Sequence, residues 1–360
     1  MGFDLIGFAV SFLSVYALYA ILAISLNLEY GFAGQPNFGQ AMFYGLGAFV
    51  AGIATSYLLP AMTGAPAGSI CSIPMLIERE NLAVANPALS MGIWGISLAI
   101  ATLSGATVGL LASYPALRVK EEWFLSMILL VAAQMFVIIV RNTPQFGCGF
   151  NGLPGITNPF TWLSVHVPAI FSADTAPALY SLVLVAFAYV TYKVAQRLVN
   201  SPYGRLLKSV RDDPTLAEAL GKNVHETRKQ IMVIGSALAG LAGALYVYYI
   251  GVASTEDYTS TLTFTIWVMM ILGGYANNKG ALVGAFLITL LDRGSLILGI
   301  TLQYYLPSFN GSLVNYGRYM VESVILLLLI IYRPRGLRRE EPVRTPAYGV
   351  FSQEKRGEAK

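Results

Sequence analysis

Nine runs of mostly apolar residues, at 5–28, 38–59, 92–113, 123–140, 178–197, 231–250, 262–276, 281–302 and 319–332, limit what this sequence can fold into. A helix rises ~1.5 Å per residue, so about 20 apolar residues cross the ~30 Å hydrocarbon layer of a bilayer. Lipid gives the backbone no hydrogen-bond partner, so runs of this kind must be helical. The pattern predicts an all-α polytopic membrane helix bundle of about nine spans. Only 12% of the residues are charged and 56% are apolar, against about 25% charged in a soluble domain. Too little charge remains to cover a water-facing surface, which excludes a soluble enzyme and a nucleic-acid partner. The run at 262–276 is short and ends in Tyr275-Ala276-Asn277-Asn278-Lys279-Gly280. It reads as a tilted, broken or re-entrant helix.

Basic residues set the expected orientation. With the N-terminus outside, all 23 Lys and Arg fall on inner segments except Arg79, Arg141, Arg293 and Arg318. The expected placement is a multi-pass protein of the plasma or inner membrane with a cytoplasmic C-terminus. The first run carries no basic residue before Leu5, so it reads as a span and not a cleaved signal peptide. Two long outer loops, 60–91 and 141–177, hold Cys71 and Cys148. An outward face permits a disulfide. The two either pair or stay free, because sequence alone does not bring their Cα atoms within the ~7 Å that a bridge needs.

Small residues recur four apart: Ala41 and Gly45, Ala48 and Gly52, Gly105 and Gly109, then Gly235, Ala239 and Gly243. Such rows let helices approach closely in lipid. They serve either static packing or faces that slide past one another. Two histidines and two cysteines cannot build a metal site of ordinary ligand spacing. No phosphate-binding G-x-x-x-x-G-K-[ST] loop is present, so the chain is expected to bind no cofactor. Asp292, Arg293, Arg318 and Glu322 lie in or beside apolar runs. Neighbours on a helix do not face each other, so Asp292 and Arg293 are each expected to need a separate partner, and the group reads as a structural charge cluster.

Two sets of residues carry the functional expectations. Asn27, Gln35, Asn37 and Gln40 flank a Gly-rich turn between the first two runs, and Gln134 lies in the fourth. Uncharged amides can touch a passing zwitterion without trapping it. Asn27 and Gln134 read equally well as plain interhelical hydrogen bonds. The second set lies in the inner loop 198–230. Residues 205–210 can form one or two helical turns. Asp213 can cap a second helix with Pro214 in its first position, and Gly221 can stop it. The loop is either solvated or docks a helix onto a partner.

That loop is similar to the coupling-helix region of ABC importer permeases. The whole chain resembles the membrane subunits of branched-chain amino-acid ABC transporters, particularly the LivM-like branch. The resemblance rests on Ser25-Leu26-Asn27-Leu28-Glu29-Tyr30-Gly31-Phe32-Ala33-Gly34-Gln35, Phe38-Gly39-Gln40-Ala41-Met42-Phe43, Asn151-Gly152-Leu153-Pro154-Gly155-Ile156, Ala217-Glu218-Ala219-Leu220-Gly221 and Tyr332-Arg333-Pro334-Arg335-Gly336-Leu337. The sequence departs from the pattern at Gln40, where His is common, and near Gln134, where an acid is common. The resemblance implies a transmembrane domain over 1–337 and a basic cytoplasmic tail over 338–360. It implies a transport subunit without enzymatic activity of its own. It also implies a second homologous permease subunit, two cytoplasmic ATPases that carry ATP and Mg, and an extracytoplasmic solute-binding protein. Arg205, Arg211, Asp212, Asp213, Ala217, Glu218, Ala219 and Gly221 would then couple to the ATPases. Urea and short-amide permeases belong to the same group and remain an alternative. A stand-alone secondary transporter is a third reading, but it needs paired mid-membrane ionisable groups.

Overall fold

A computed structural model describes residues 5–64, 70–118, 122–167, 175–306, 312–333 and 336–340. The chain runs through α1 (Leu5–Leu26), α2 (Gln40–Thr63), α3 (Ile73–Ala85), α4 (Pro87–Arg118), α5 (Glu122–Asn142), α6 (Pro144–Gly147), α7 (Thr161–His166), α8 (Thr175–Asn200), α9 (Pro202–Asp212), α10 (Pro214–Ala219), α11 (Val224–Ile250), α12 (Ser260–Gly273), α13 (Asn278–Tyr305) and α14 (Ser312–Tyr332). Two short strands, β1 (Leu153–Pro154) and β2 (Val252–Ala253), pair antiparallel.

The apolar runs map onto helices. Among the described residues, seven helices are long and apolar enough to cross a membrane: α1, α2, α4, α5, α8, α11 and α13. Helix α14 has 21 residues and carries Arg318 and Glu322. Helix α12 has only 14 residues, roughly 21 Å of rise, which falls short of the hydrocarbon layer. Its end is a break. Gly274 and Ala276 both take positive φ, at +111° and +58°. Asn277 then restarts the chain by accepting hydrogen bonds from the amides of Lys279 (3.0 Å) and Gly280 (3.3 Å). The first span runs further than its apolar pattern. It continues over Asn27–Phe32 as a π-helical turn, a wider winding that often marks functional positions.

Helix α11 packs between α2 and α4. The small-residue rows supply part of the contact lines, through Gly105, Gly109 and Gly243. Gly45 and Gly52 face Tyr258 and Ile156 instead, and a further close α2–α11 approach is made by Gly47 and Gly240 outside those rows. A Cβ on Gly47 would overlap the Gly240 carbonyl, one on Gly243 would overlap that of Tyr44, and one on Gly105 would lie 2.5 Å from that of Ser236. Lipid tails are as apolar as the side chains, so close backbone approach supplies the attraction here. Helices α12 and α13 meet the same way, with Gly284 against the Met269 carbonyl.

One end of the bundle carries a cap built from the two long loops that hold the cysteines, and within it helix α3 has no sequence expectation behind it. Helix α3 is short and holds Glu78, Arg79 and Glu80 in its middle, which hides its periodicity. Arg79 is nevertheless 1% exposed. Its Nη2 donates to the carbonyls of Ile70 and Pro154, both at 3.0 Å. Cys71 and Cys148 are joined, with Cα atoms 5.4 Å apart. The bridge spans a sequence separation of 77, a loop length for which chain entropy contributes about 4 kcal/mol. Thiol labelling of the denatured, unreduced protein should find neither sulfur free. Cys148→Ser should lower the melting temperature of the detergent-solubilised protein.

Candidate functional site

Ser25, Asn27 and Glu29 stand at alternate positions, which a regular α-helix would spread around its circumference. The π-helical turn turns Asn27 and Glu29 into the bundle instead. Asn27 Oδ1 accepts from the Ala276 amide (2.9 Å), and Asn27 Nδ2 donates to Asn278 Oδ1 (3.0 Å). The end of the first span is thereby tied to the break between α12 and α13. Glu29 Oε2 accepts from Asn37 Nδ2 (2.9 Å) and from Gln40 Nε2 (2.6 Å). Asn37 Oδ1 accepts from the Gly39 amide (2.8 Å), and its carbonyl accepts from Trp267 Nε1 (3.2 Å). Ser25 Oγ donates to the Gly235 carbonyl (2.8 Å).

Glu29 makes no ion pair among the described residues, and its Oε1 has no hydrogen-bond partner. That oxygen lies against Gly235, where any Cβ would overlap it. Asn27, Glu29, Asn37 and Gln40 are fully buried, and Gln35 nearly so. In this conformation all of them pack between helices and line neither cavity described below. Gln134 lies apart from this cluster. Its Nε2 donates to Ser260 Oγ (2.7 Å) and ties α5 to the start of α12.

The inner-loop segment forms two helices. Ser201 caps α9 by accepting from the Tyr203 amide (3.2 Å), and Asp213 caps α10 by accepting from the Leu216 amide (2.9 Å). Each has Pro at its first turn, as a helix start favours. Gly221, with φ +75°, ends the pair. Val210, Ala217 and Val224 pack together inward. Arg205, Asp212, Asp213, Glu218 and Ala219 face out. Leu216 and Leu220 are also outward, at 57% and 70% exposed. Sequence reasoning missed these two leucines, although their i, i+4 spacing was the available signal.

Arg211 is a junction. Its Nη1 donates to the Gly31 carbonyl (2.8 Å), its Nε pairs with Asp212 (3.0 Å) and its Nη2 with Glu340 (3.1 Å). Lys208 reaches the same Glu340 at 2.8 Å. Glu340 lies on a strap that follows α14. The amides of Leu337 and Arg338 donate to the carbonyls of Leu272 (3.0 Å) and Gly273 (2.9 Å), and Asn277 Nδ2 donates to the Arg339 carbonyl (2.8 Å). Gly336 has φ +70°, and a Cβ there would come 2.5 Å from Gly274 Cα, so only glycine fits. The tail residues 336–340 are therefore packed against the bundle, and 341–360 lie outside the described residues. A cavity of ≈ 550 Å³ opens beside this junction, lined by Tyr30, Gly34, Pro36, Trp123, Arg211 and Tyr275, among others.

The opposite end holds the charge cluster. Asp292 pairs closely with Arg318 and also with its own neighbour Arg293 (3.1 Å). Each neighbour has a separate partner as expected, Arg318 for Asp292 and Ser11 for Arg293, and the long Arg293 side chain also curls back to Asp292. Arg318 also approaches Glu322 (3.4 Å), and Arg293 Nη1 donates to Ser11 Oγ (3.2 Å). Asp292, Arg293 and Arg318 border a second cavity, ≈ 220 Å³, that also meets Tyr246 and Asp257. Burial pushes the Asp257 carboxyl above the ordinary aspartate range, against a hydrogen bond from Tyr246.

Residues 8–332 match the family model for the permease component of branched-chain amino acid transport systems. The chain belongs to this family. Membership makes it a membrane transport component and not an enzyme. A probable branched-chain amino acid transport permease protein LivM of Methanocaldococcus jannaschii is 29% identical over 334 residues, spanning 92% of this chain and 93% of the relative. LivM of Escherichia coli K12 is 23% identical over 335 residues, 89% of this chain and 67% of the relative. A LivH permease of M. jannaschii is 25% identical over 325 residues, 89% of this chain and 88% of the relative. No solved structure matches the chain.

Within this permease chain, Glu29 is the central residue that sequence reasoning did not single out. It follows the apolar run 5–28, and only the π-helical continuation over Asn27–Phe32 brings it inside the span, where an acid is expensive and usually functional. Gly235→Ala should displace the Glu29 carboxylate and leave the Asn37 and Gln40 amides unpaired, at about 1–3 kcal/mol for each buried orphan. Gly95→Ala, where an added Cβ meets nothing within 4 Å, should be neutral. Melting curves of the two purified variants would show the difference.

Proposed function

We propose that this chain is the membrane-spanning subunit of an ATP-driven importer for branched-chain amino acids, and that α9 and α10 form its contact with a cytoplasmic ATPase. The names of the relatives support the substrate class. The contact reading rests on one observation: α10 and the residue that ends it present Leu216 and Leu220 to solvent on a short helix otherwise well capped and anchored. An exposed apolar pair on such a lever suits helix-in-groove docking. The orientation follows from the basic residues, which gather at the α9–α10 end. It places that end in the cytoplasm and the disulfide-bonded cap outside, where disulfides persist.

The complete importer would pair this chain with a second permease subunit, two ATPases carrying ATP and Mg, and an outer binding protein. Moving a gate from 1:99 to 99:1 takes about 5.5 kcal/mol of differential interaction. ATPase closure would deliver that energy through α10. Arg211 and Glu340 are the route inward, because they bind the lever both to the π-helical end of the first span and to the α12–α13 break. Asn27 bonds the break directly, Asn37 and Gln40 bond Glu29 of the π-helical end, and the Gln35 backbone amide donates to the Glu29 carbonyl. We assign them to the path on that ground, as groups exposed when the two elements part. Gln134, at the α5–α12 contact, belongs to the same moving boundary.

The test is uptake and ATP hydrolysis measured together on the reconstituted complex. Leu216→Asp should break ATPase association or cut leucine uptake about tenfold, equivalent to ~1.4 kcal/mol. Glu340→Gln should leave the complex assembled and lower the uptake obtained per ATP hydrolysed. Wild-type coupling in both variants would refute the lever. Ala217→Asp is a poorer probe, because Ala217 is buried and its substitution disrupts the lever itself.

A further inference from the structure

The ≈ 220 Å³ cavity at the disulfide end is lined by groups of both signs on apolar walls. Val15, Leu18, Leu262 and Leu296 supply apolar surface from α1, α12 and α13. Arg293 and Arg318 stand at one side, balanced in charge by Asp292 and Glu322. Asp257 stands in the loop before α12. Its neighbour Glu256 is taken by Arg141, whereas Asp257 forms no ion pair among the described residues and shares the cavity wall with Tyr246. Tyr246, Asp257 and Arg293 all line this cavity, so the carboxylate and the guanidinium share one small space. The cavity thus holds one negative charge without a cation, the remaining Nη2 of an Arg293 guanidinium whose Nε and Nη1 are engaged by Asp292 and Ser11, and an aliphatic wall.

We propose that this cavity is a binding site within the subunit for a zwitterionic aliphatic amino acid. The ammonium group meets Asp257 and Tyr246, the carboxylate meets Arg293, and the side chain rests on Leu18, Leu262 and Leu296. The proposal rests on the import reading for its substrate class, and adds that this subunit itself selects. Two half-sites of opposite charge explain how it would do so: a molecule lacking either charged group leaves a desolvated partner unsatisfied. Position strengthens the case. The cavity touches the first span, the start of short α12 and the last two spans, so a ligand there bridges elements that the α12–α13 break lets move separately.

The experiment measures equilibrium binding of radiolabelled L-leucine to the purified permease–ATPase complex without binding protein, and uptake by the full importer. The expected result is saturable binding, competed by unlabelled leucine and far less by isocaproate or isoamylamine, which each lack one charged group. Asp257→Asn and Arg293→Gln should each weaken binding about tenfold or more, the loss of one charge-assisted pair, and Arg293→Lys should recover part of it. Tyr246→Phe lies outside the ion cluster and should weaken binding without affecting melting. Leucine uptake by the wild-type importer, with no saturable binding to the complex and unchanged uptake in these variants, would overturn the site and leave the import reading intact. Absence of leucine uptake by the wild-type importer would overturn the import reading, and the site with it.

Discussion

Lipid will not hydrogen-bond to a protein, and this bundle is organised around that refusal. Glu29 has no cation beside it among the described residues, so neutral amides from Asn37 and Gln40 must hold it. Those amides sit on a loop that Trp267 and Ser126 fasten through its carbonyls. Asn27 does the same for the broken backbone at Ala276. The hydrogen bonds therefore decide where helices end, and the glycine rows decide how closely they pack. Isolated polar contacts in membranes are worth little each. A connected set has more at stake, because one lost member strands several others.

The same logic connects the ends of the molecule. The carbonyls that terminate α12 have no helical successors, and the strap after α14 satisfies two of them. Glu340 then holds Lys208 and Arg211 on α9. A displacement of α9 is thus felt at the π-helical turn and at the α12–α13 break together. Those two sites are already joined through Asn27 and Asn278. Backbone carbonyls, the amides of Asn27, Asn277 and Asn278, and the pairs of Glu340 with Lys208 and Arg211 make this circuit.

Much of this was legible in the sequence because lipid makes length and apolarity decisive. The nine runs, the short one among them and the capped inner-loop helices all follow from local rules. The turn between the first two runs was recognisable, and so were its amides. Glu29 was passed over because it lies at the end of an apolar run, where a charge reads as an interfacial residue. Only the π-helical turn carries it inside. The strap was invisible because its bonds are made by backbone amides, which carry no residue code. Gly336 alone marks it, through a conformation that other residues resist. Helix α3 and the curl of Arg293 toward Asp292 depend on tertiary placement that no local pattern encodes.

The strap has a consequence for biogenesis. Residues 336–340 are made after the last span, yet they cap a helix inserted two spans earlier. Until they arrive, the end of α12 must find water, a lipid headgroup or a chaperone for its bare carbonyls. Maturation of this chain is therefore a closing step: the bundle can thread the bilayer early, but α9 and the end of α12 are latched together last.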